Sequence, residues 1–255
     1  MKKRRKLFFA IPAVFVVVFL SYFLLQPSYY SKQTRIEFLW RSMVYSAENQ
    51  FAAAKVSLGK EKEFVLDVPF FKQSYPVTCE VASLRMVLNY FGYSTTEDEL
   101  LAELHFDTTE PMSPDGVWGD PEKGFVGDIN GSIFNGTGYG VHDGPIKSLA
   151  SNYLNTVNLR EPNLTRIIGL LNSGKPVIVW GLLYSRNLVS WETIDGRKIE
   201  VYPGEHTRVL IGYTGEAHDP DKLILLDPIY GKIRMSPEDF VEDWAMMNNR
   251  LVAMQ

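Results

Sequence analysis

The apolar positions of this chain change their spacing along its length, and each change marks a different kind of element. Leu7 to Leu25 is a run of nineteen residues without a charge, interrupted only by Pro12, Ser21 and Tyr22. A run of that length can span a bilayer. Between Ser31 and Gly59 the apolar residues Ile36, Trp40, Met43, Ala47, Phe51, Ala54 and Leu58 recur every three or four places, which predicts one amphipathic helix of several turns. That helix reads either as a stalk or as an element packed on the domain that follows. From Phe64 onward the pattern is mixed and has no internal repeat. It predicts one α+β domain over residues 64–255, with residues 1–26 as flank and anchor and residues 27–63 as a juxtamembrane helix.

Inside residues 64–255 the order is helices first and sheet second. Phe64-Val65-Leu66-Asp67-Val68-Pro69 is a short extended run, and Val81, Leu84, Leu88 and Phe91 then form a helical face that stops at Gly92. Thr96 with Glu99 three residues later is a capping box ahead of Leu100, Leu101 and Leu104. Pro145 and Pro162 each precede a further helical pattern, the second ending at Gly174. Val177–Leu183, the two arms around Asp195-Gly196, Arg208–Tyr213 and Leu223–Leu226 predict an antiparallel sheet. Ser236-Pro237 opens a last short helix. Residues 111–145 carry nine of the nineteen glycines together with Trp118, Phe125, Phe134 and Tyr139. They predict a long ordered loop, either a wall of a substrate groove to which Trp118 and His142 contribute together with Glu80 beside the cysteine, or a packed insertion.

Charge sharpens the reading of the N-terminus. Residues 2–6 are Lys-Lys-Arg-Arg-Lys, and no charge follows the apolar run until Lys32. That asymmetry predicts a cytoplasmic N-terminus and an extracytoplasmic C-terminal domain on a single-pass anchor. No small-residue cleavage site ends the run at Phe23-Leu24-Leu25-Gln26-Pro27, so an uncleaved anchor is favoured over a signal peptide. Residues 1–30 hold five of the 26 Lys/Arg and none of the 30 Asp/Glu, so 21 basic and 30 acidic residues remain beyond them. The small overall charge of −4 therefore hides an acidic body, and nucleic acid is not an expected partner. A single cysteine, Cys79, excludes a disulfide framework and a multi-thiolate zinc site. No HExxH, EF-hand or P-loop pattern occurs, and no cofactor or metal is expected.

The lone thiol is either a small core hydrophobe or a nucleophile. Cys79 follows the turn-forming Tyr75-Pro76-Val77-Thr78 at the first turn of a predicted helix, where the helix N-terminus favours a thiolate. A base is available in His206, at the start of the strand Val209–Tyr213. Asp227, at the end of Leu223–Leu226 and followed by Pro228, would stand one antiparallel neighbour away as the group that orients the imidazole. Gln73 can supply a side-chain amide to an oxyanion alongside the backbone N–H of Cys79.

Asp67-Val68-Pro69-Phe70-Phe71-Lys72-Gln73, Thr78-Cys79-Glu80-Val81-Ala82-Ser83 continuing to Gly92, His206–Tyr213 and Leu226–Gly231 together resemble the bacterial peptidase C39-like domain, in the same order. The resemblance covers about residues 64–245. It implies a papain-like cysteine peptidase fold, with N-terminal helices packed on an antiparallel sheet. It also implies Cys79 as nucleophile, His206 as base, Asp227 as orienter, Gln73 as oxyanion donor, and a peptide or protein as substrate. Many relatives have glycine after the cysteine, whereas this chain has Glu80, whose charge beside the thiolate opposes its ionisation unless Glu80 is paired or turned away. A catalytically silent peptide-binding or scaffolding domain at the membrane is the alternative.

Overall fold

A computed structural model describes residues 32–255, except 110–115, 158, 160–161 and 184–186. The predicted bilayer span and its basic flank lie outside the described residues. Among the described residues no helix is long and apolar enough to cross a membrane.

The elements in chain order are α1 (Lys32–Ser57), β1 (Glu63–Val65), α2 (Cys79–Tyr90), α3 (Glu97–Glu103), β2 (Phe106–Asp107), β3 (Phe125–Gly127), a 3-10 turn (Ile133–Asn135), β4 (Gly138–Gly140), α4 (Asp143–Ala150), α5 (Leu164–Asn172), β5 (Val177–Leu182), β6 (Val189–Glu192), β7 (Lys198–Val201), β8 (Glu205–Glu216), β9 (Asp219–Asp227), β10 (Gly231–Met235), α6 (Pro237–Met246) and β11 (Leu251–Ala253). Two compact units divide the chain, Met1–Val44 and Tyr45–Gln255.

The centre of the second unit is an antiparallel sheet in the order β10-β9-β8-β5-β11, with β1 also paired to β8. Both of its faces are covered. Ile178, Trp180, Val209, Ile211, Ile224 and Leu226 point to one side and pack with residues of α2, α3 and α4. Val177, Val179, Leu210, Leu223 and Leu225 point to the other and pack with Ile167, Ile168 and Leu171 of α5 and Phe240 and Trp244 of α6. A strand covered on both faces has no polar side to alternate with, which is why β5 and the end of β9 read as unbroken apolar runs.

Local signals account for the helix boundaries. The Thr96 hydroxyl accepts from the Glu99 N–H while Glu99 returns the bond to the Thr96 N–H, the reciprocal capping box. The Asn163 and Ser236 side chains cap α5 and α6 by accepting from the N–H of Arg166 and Asp239, and Pro237 occupies the first position of α6.

Four expectations are corrected. First, α1 has the predicted extent, but within the second unit the predicted apolar face is its exposed one: Phe51 and Leu58 face solvent. Within the second unit the helix docks through Tyr45 on Tyr230, Asn49 on the edge strand β10, and buried Ala52. Asn49 Nδ2 donates to the Lys232 carbonyl at 2.5 Å, and Arg234 donates to Asn49 Oδ1. Polar contacts to an otherwise open strand edge thus outweigh the apolar stripe in choosing the docking face. Second, residues 111–145 hold β3, the 3-10 turn, β4 and the start of α4 rather than one long loop, with β2, β3 and β4 forming a small sheet of their own. Third, the hairpin at Asp195-Gly196 forms, but β6 and β7 pair with each other, and Glu192 of β6 with Val117, rather than joining the main sheet. Fourth, β11 closes the β5 edge, an element the sequence reading did not contain.

Candidate active site

Cys79 is the first residue of α2, and the turn before it is pinned to α3. The Thr78 hydroxyl donates to the Glu97 carboxyl and to the Tyr75 carbonyl, and the Ser74 N–H donates to Glu97 Oε2 at 2.8 Å. Cys79 itself is buried. The backbone N–H of Thr207, the residue after His206, acts electrostatically on its sulfur, so the helix start and the start of β8 meet at the thiol. The S–H donates to Glu80 Oε2 at 3.4 Å. Burial pushes the Cys79 thiol up, the Glu80 charge pushes it further, and the Thr207 N–H opposes both without prevailing.

On the sheet, Gly181 of β5 pairs with His206, and β9 delivers Asp227 at its last residue. His206 Nε2 lies 3.0 Å from Asp227 Oδ2, at ion-pair distance though off the axis of a strict hydrogen bond. Both residues are buried. Arg208 Nε donates to the same Oδ2 at 2.9 Å, and the Ile229 and Tyr230 N–H groups donate to Oδ1 at 2.8 and 3.1 Å. Burial alone would raise the Asp227 carboxyl, but the neighbouring His206 and Arg208 outweigh it and hold the carboxyl well below its usual range. For His206 the balance tips the other way: burial lowers the imidazole, and the attraction of Asp227 does not fully restore it.

Gln73 is tied to the same region. Its backbone N–H donates to the Pro228 carbonyl at 3.0 Å, tying its loop to the turn that follows Asp227. Its side-chain Nε2 donates to the carbonyls of Tyr75 at 2.8 Å and Pro76 at 3.1 Å, and its Oε1 is buried without a partner. The structure therefore gathers Gln73, Cys79, His206 and Asp227 into one region. The resting hydrogen bonds run within Cys79–Glu80 and within Arg208–Asp227, and among the described residues none joins the Cys79 thiol to the His206 ring.

A second buried polar group adjoins the thiol. Glu205, next to His206, has both carboxyl oxygens buried without a hydrogen-bond partner, and burial followed by repulsion from Glu80 raises its carboxyl. His142 Nε2 stands 3.4 Å from Glu205 Oε2 and 3.2 Å from the Tyr139 hydroxyl, while His142 Nδ1 is 2.9 Å from Glu122 Oε1. Arg250 closes the chain with ion pairs to Glu122 and Asp143. The bond to His142, with help from Arg250 and against partial burial, lowers Glu122 to about 2.

The three predicted groove residues are therefore corrected. Glu80 is 1% exposed and turned onto the thiol, and His142 is 6% exposed and enclosed between Glu122, Tyr139 and Glu205. Trp118 is fully buried and packs on Trp191 at 5.1 Å, so it belongs to a small aromatic core under β6 and β7. A cleft of about 850 Å³ lies elsewhere, lined by Phe51, Lys62, Glu216, Asp221 and Arg234 among others, and contains none of the candidate catalytic residues. Among the described residues no group of three or more His, Cys, Asp or Glu is arranged to hold a metal ion.

With this geometry in place, comparison with known proteins is decisive on one point. The Peptidase_C39 like family matches residues 65–252. The chain belongs to the peptidase C39-like family. A relative of this C39-like domain is the uncharacterised protein YvpB of Bacillus subtilis (strain 168), 34% identical over 187 residues, covering 69% of this chain and 68% of that protein. The crystal structure of a provisionally assigned C39-like peptidase from Bacillus anthracis is similar with a TM-score of 0.65 and 29% identity, over 76% of this chain and 98% of that one.

Three residues of the candidate site were not anticipated. Arg208 had a signal, since a charged residue inside the apolar run from Thr207 to Tyr213 demands a buried counter-ion, which Asp227 supplies. Glu205 and Val141 had none, because their roles depend on α2, β4 and β8 meeting in space.

Proposed function

We propose that this chain is a cysteine peptidase in which Cys79, His206 and Asp227 act as nucleophile, base and orienter. The observation that carries the reading is the meeting of two pairs. His206 and Asp227 are buried 3.0 Å apart, and the N–H of the residue that follows His206 acts on the buried Cys79 sulfur. Because Nε2 faces Asp227, the other ring nitrogen is left for the thiol. In the first step His206 takes the thiol proton, the sulfur attacks an amide carbonyl, and the imidazolium returns the proton to the departing amine. Water then hydrolyses the thioester, with His206 again accepting and returning a proton. The backbone N–H of Cys79 stabilises the oxyanion, and Gln73 joins it by releasing one of its bonds to Tyr75 or Pro76. Asp227 keeps the tautomer in place throughout.

The basic flank at residues 2–6 and the apolar run Leu7–Leu25 support a single-pass anchor that places the domain outside the membrane, where its substrate would be an extracytoplasmic peptide or protein. One observation favours the second reading, a silent peptide-binding or scaffolding domain: the thiol proton is committed to Glu80 and burial raises the thiol. Profiling the detergent-solubilised full chain against a peptide library, with Cys79→Ala as control, tests the choice. Cleavage lost in Cys79→Ala supports the peptidase, cleavage retained in that variant overturns Cys79 as its nucleophile, and none with the parent chain or with a chain freed of Glu80 favours the silent domain.

A further inference from the structure

Glu80 occupies a seat that the surrounding backbone is shaped to provide. Its Oε1 accepts the Val141 N–H at 3.0 Å, and the Val141 carbonyl on the other side of the residue is fixed by the Trp180 indole N–H at 3.2 Å. Gly140 has a φ of +129°, and a Cβ there would stand 2.4 Å from Glu80 Oε1. The seat therefore exists only because position 140 has no side chain. Oε2, the other end of the carboxyl, receives the Cys79 S–H.

The charged groups facing this carboxyl are acidic. Glu97 of α3 and Glu205 of β8 both act on this part of the site, and among the described residues no basic side chain forms an ion pair with Glu80. A carboxylate so placed stabilises the protonated thiol, because handing the proton to His206 would leave two anions in contact in a buried setting.

We propose that Glu80 is a latch on the nucleophile: seated by Gly140 and Val141, its carboxylate holds the Cys79 proton and withholds it from His206 until the carboxyl is neutralised or displaced. This rests on Cys79 and His206 being nucleophile and base. In the closed state the S–H donates to the carboxylate. When Glu80 takes up a proton from solvent, the thiol is free to give its own proton to His206, forming a thiolate–imidazolium pair. Burial raises the Glu80 carboxyl to about 7, with the Val141 N–H working against it, so the latch is half closed near neutrality and closes as pH rises. Cys79 should then fail to gain reactivity over the very range where an ordinary thiol ionises, around pH 8.5.

The test is alkylation of Cys79, the single cysteine, by iodoacetamide in the full chain, alongside thiolate ultraviolet absorbance as a direct titration that does not depend on reagent access. Glu80→Gln should raise the alkylation rate at about pH 8 by tenfold or more, equivalent to lowering the thiol by at least one unit. A rate or titration within twofold of the parent chain overturns the latch. Gly140→Ala, checked for folding by circular dichroism, should move the rate the same way by unseating Glu80. A folded Gly140→Ala chain with the parent rate counts against the seat. The underlying reading is tested separately by adding His206→Ala to Glu80→Gln. If the released thiol loses reactivity without the imidazole, the nucleophile–base pair stands. If it does not, that pair fails even though Glu80 still controls the thiol.

Discussion

Asp227→Asn separates what Asp227 does for the fold from what it does for the site. The carboxylate receives three hydrogen bonds and one ion-pair neighbour, and they divide cleanly. Oδ1 takes the Ile229 and Tyr230 N–H groups, which an asparagine oxygen can keep, while Oδ2 serves Arg208 at 2.9 Å and His206 at 3.0 Å. In the variant an NH2 replaces Oδ2, and Arg208, whose side chain is 7% exposed, keeps its bond to the Leu182 carbonyl but loses its counter-ion. Removing one member of a buried pair costs about 3–5 kcal/mol, a large part of an ordinary domain stability of about 5–15 kcal/mol. Urea unfolding near neutral pH should show that loss in the midpoint with an unchanged slope.

The pH dependence supplies a sign. Asp227 is held below its usual value, so its contribution is present above about pH 3.9 and is lost as pH falls through the depressed native value. The gap between parent and variant should therefore be full at neutral pH and narrow only in strong acid. A destabilisation under about 1 kcal/mol would refute the account of Oδ2 as the seat of a buried charge pair. So would failure of Arg208→Met to recover stability in the Asp227→Asn background, since the double variant leaves no unpaired buried charge.

Glu80→Gln should change stability with the opposite pH sign. The raised Glu80 carboxyl stabilises the fold fully below about pH 4.5 and loses that contribution as pH rises through about 7, so the variant should gain about 3 kcal/mol on the parent at alkaline pH and little in acid, read from urea midpoints. Thr96→Ala removes the capping box and should cost about 0.5–2 kcal/mol in the same assay, with faster hydrogen exchange at the Glu99 amide. Asn49→Ala exposes the Lys232 carbonyl on the β10 edge and should cost about 1 kcal/mol, with loss of exchange protection along β10 rather than β5.

What could be read along the chain was local, and what could not was assembled across it. Thr96 with Glu99, Ser236 with Pro237, and Asp195 with Gly196 each announce an element through neighbours a few residues apart, and all three appear where expected. The positions of His206 and Asp227 at strand ends were legible for the same reason. The docking face of α1 was not, because apolar spacing identifies a helix but not the partner that competes for it, and here the open edge of β10 takes Asn49. Trp118 was misplaced because glycine-rich surroundings suggest a loop, while Trp191, 73 residues away in sequence, gives it a core to join. The surroundings of the thiol were least legible of all. Glu80 was visible as an anomaly, but its seat at Gly140 and Val141 and its neighbour Glu205 come from separate elements.

The contact between Gly140 and Glu80 also makes what can stand at one position depend on a distant one. Glycine is required at 140 on two counts, because a Cβ there would meet the Glu80 carboxyl and because a φ of +129° strains any other residue whatever stands at 80. The dependence should therefore run one way: position 80 can lose its acid while 140 stays glycine, whereas a side chain gained at 140 would both strain the backbone and collide with the carboxyl. Across C39-like sequences, an acidic residue after the cysteine paired with a non-glycine at the position equivalent to 140 is the combination that this geometry forbids.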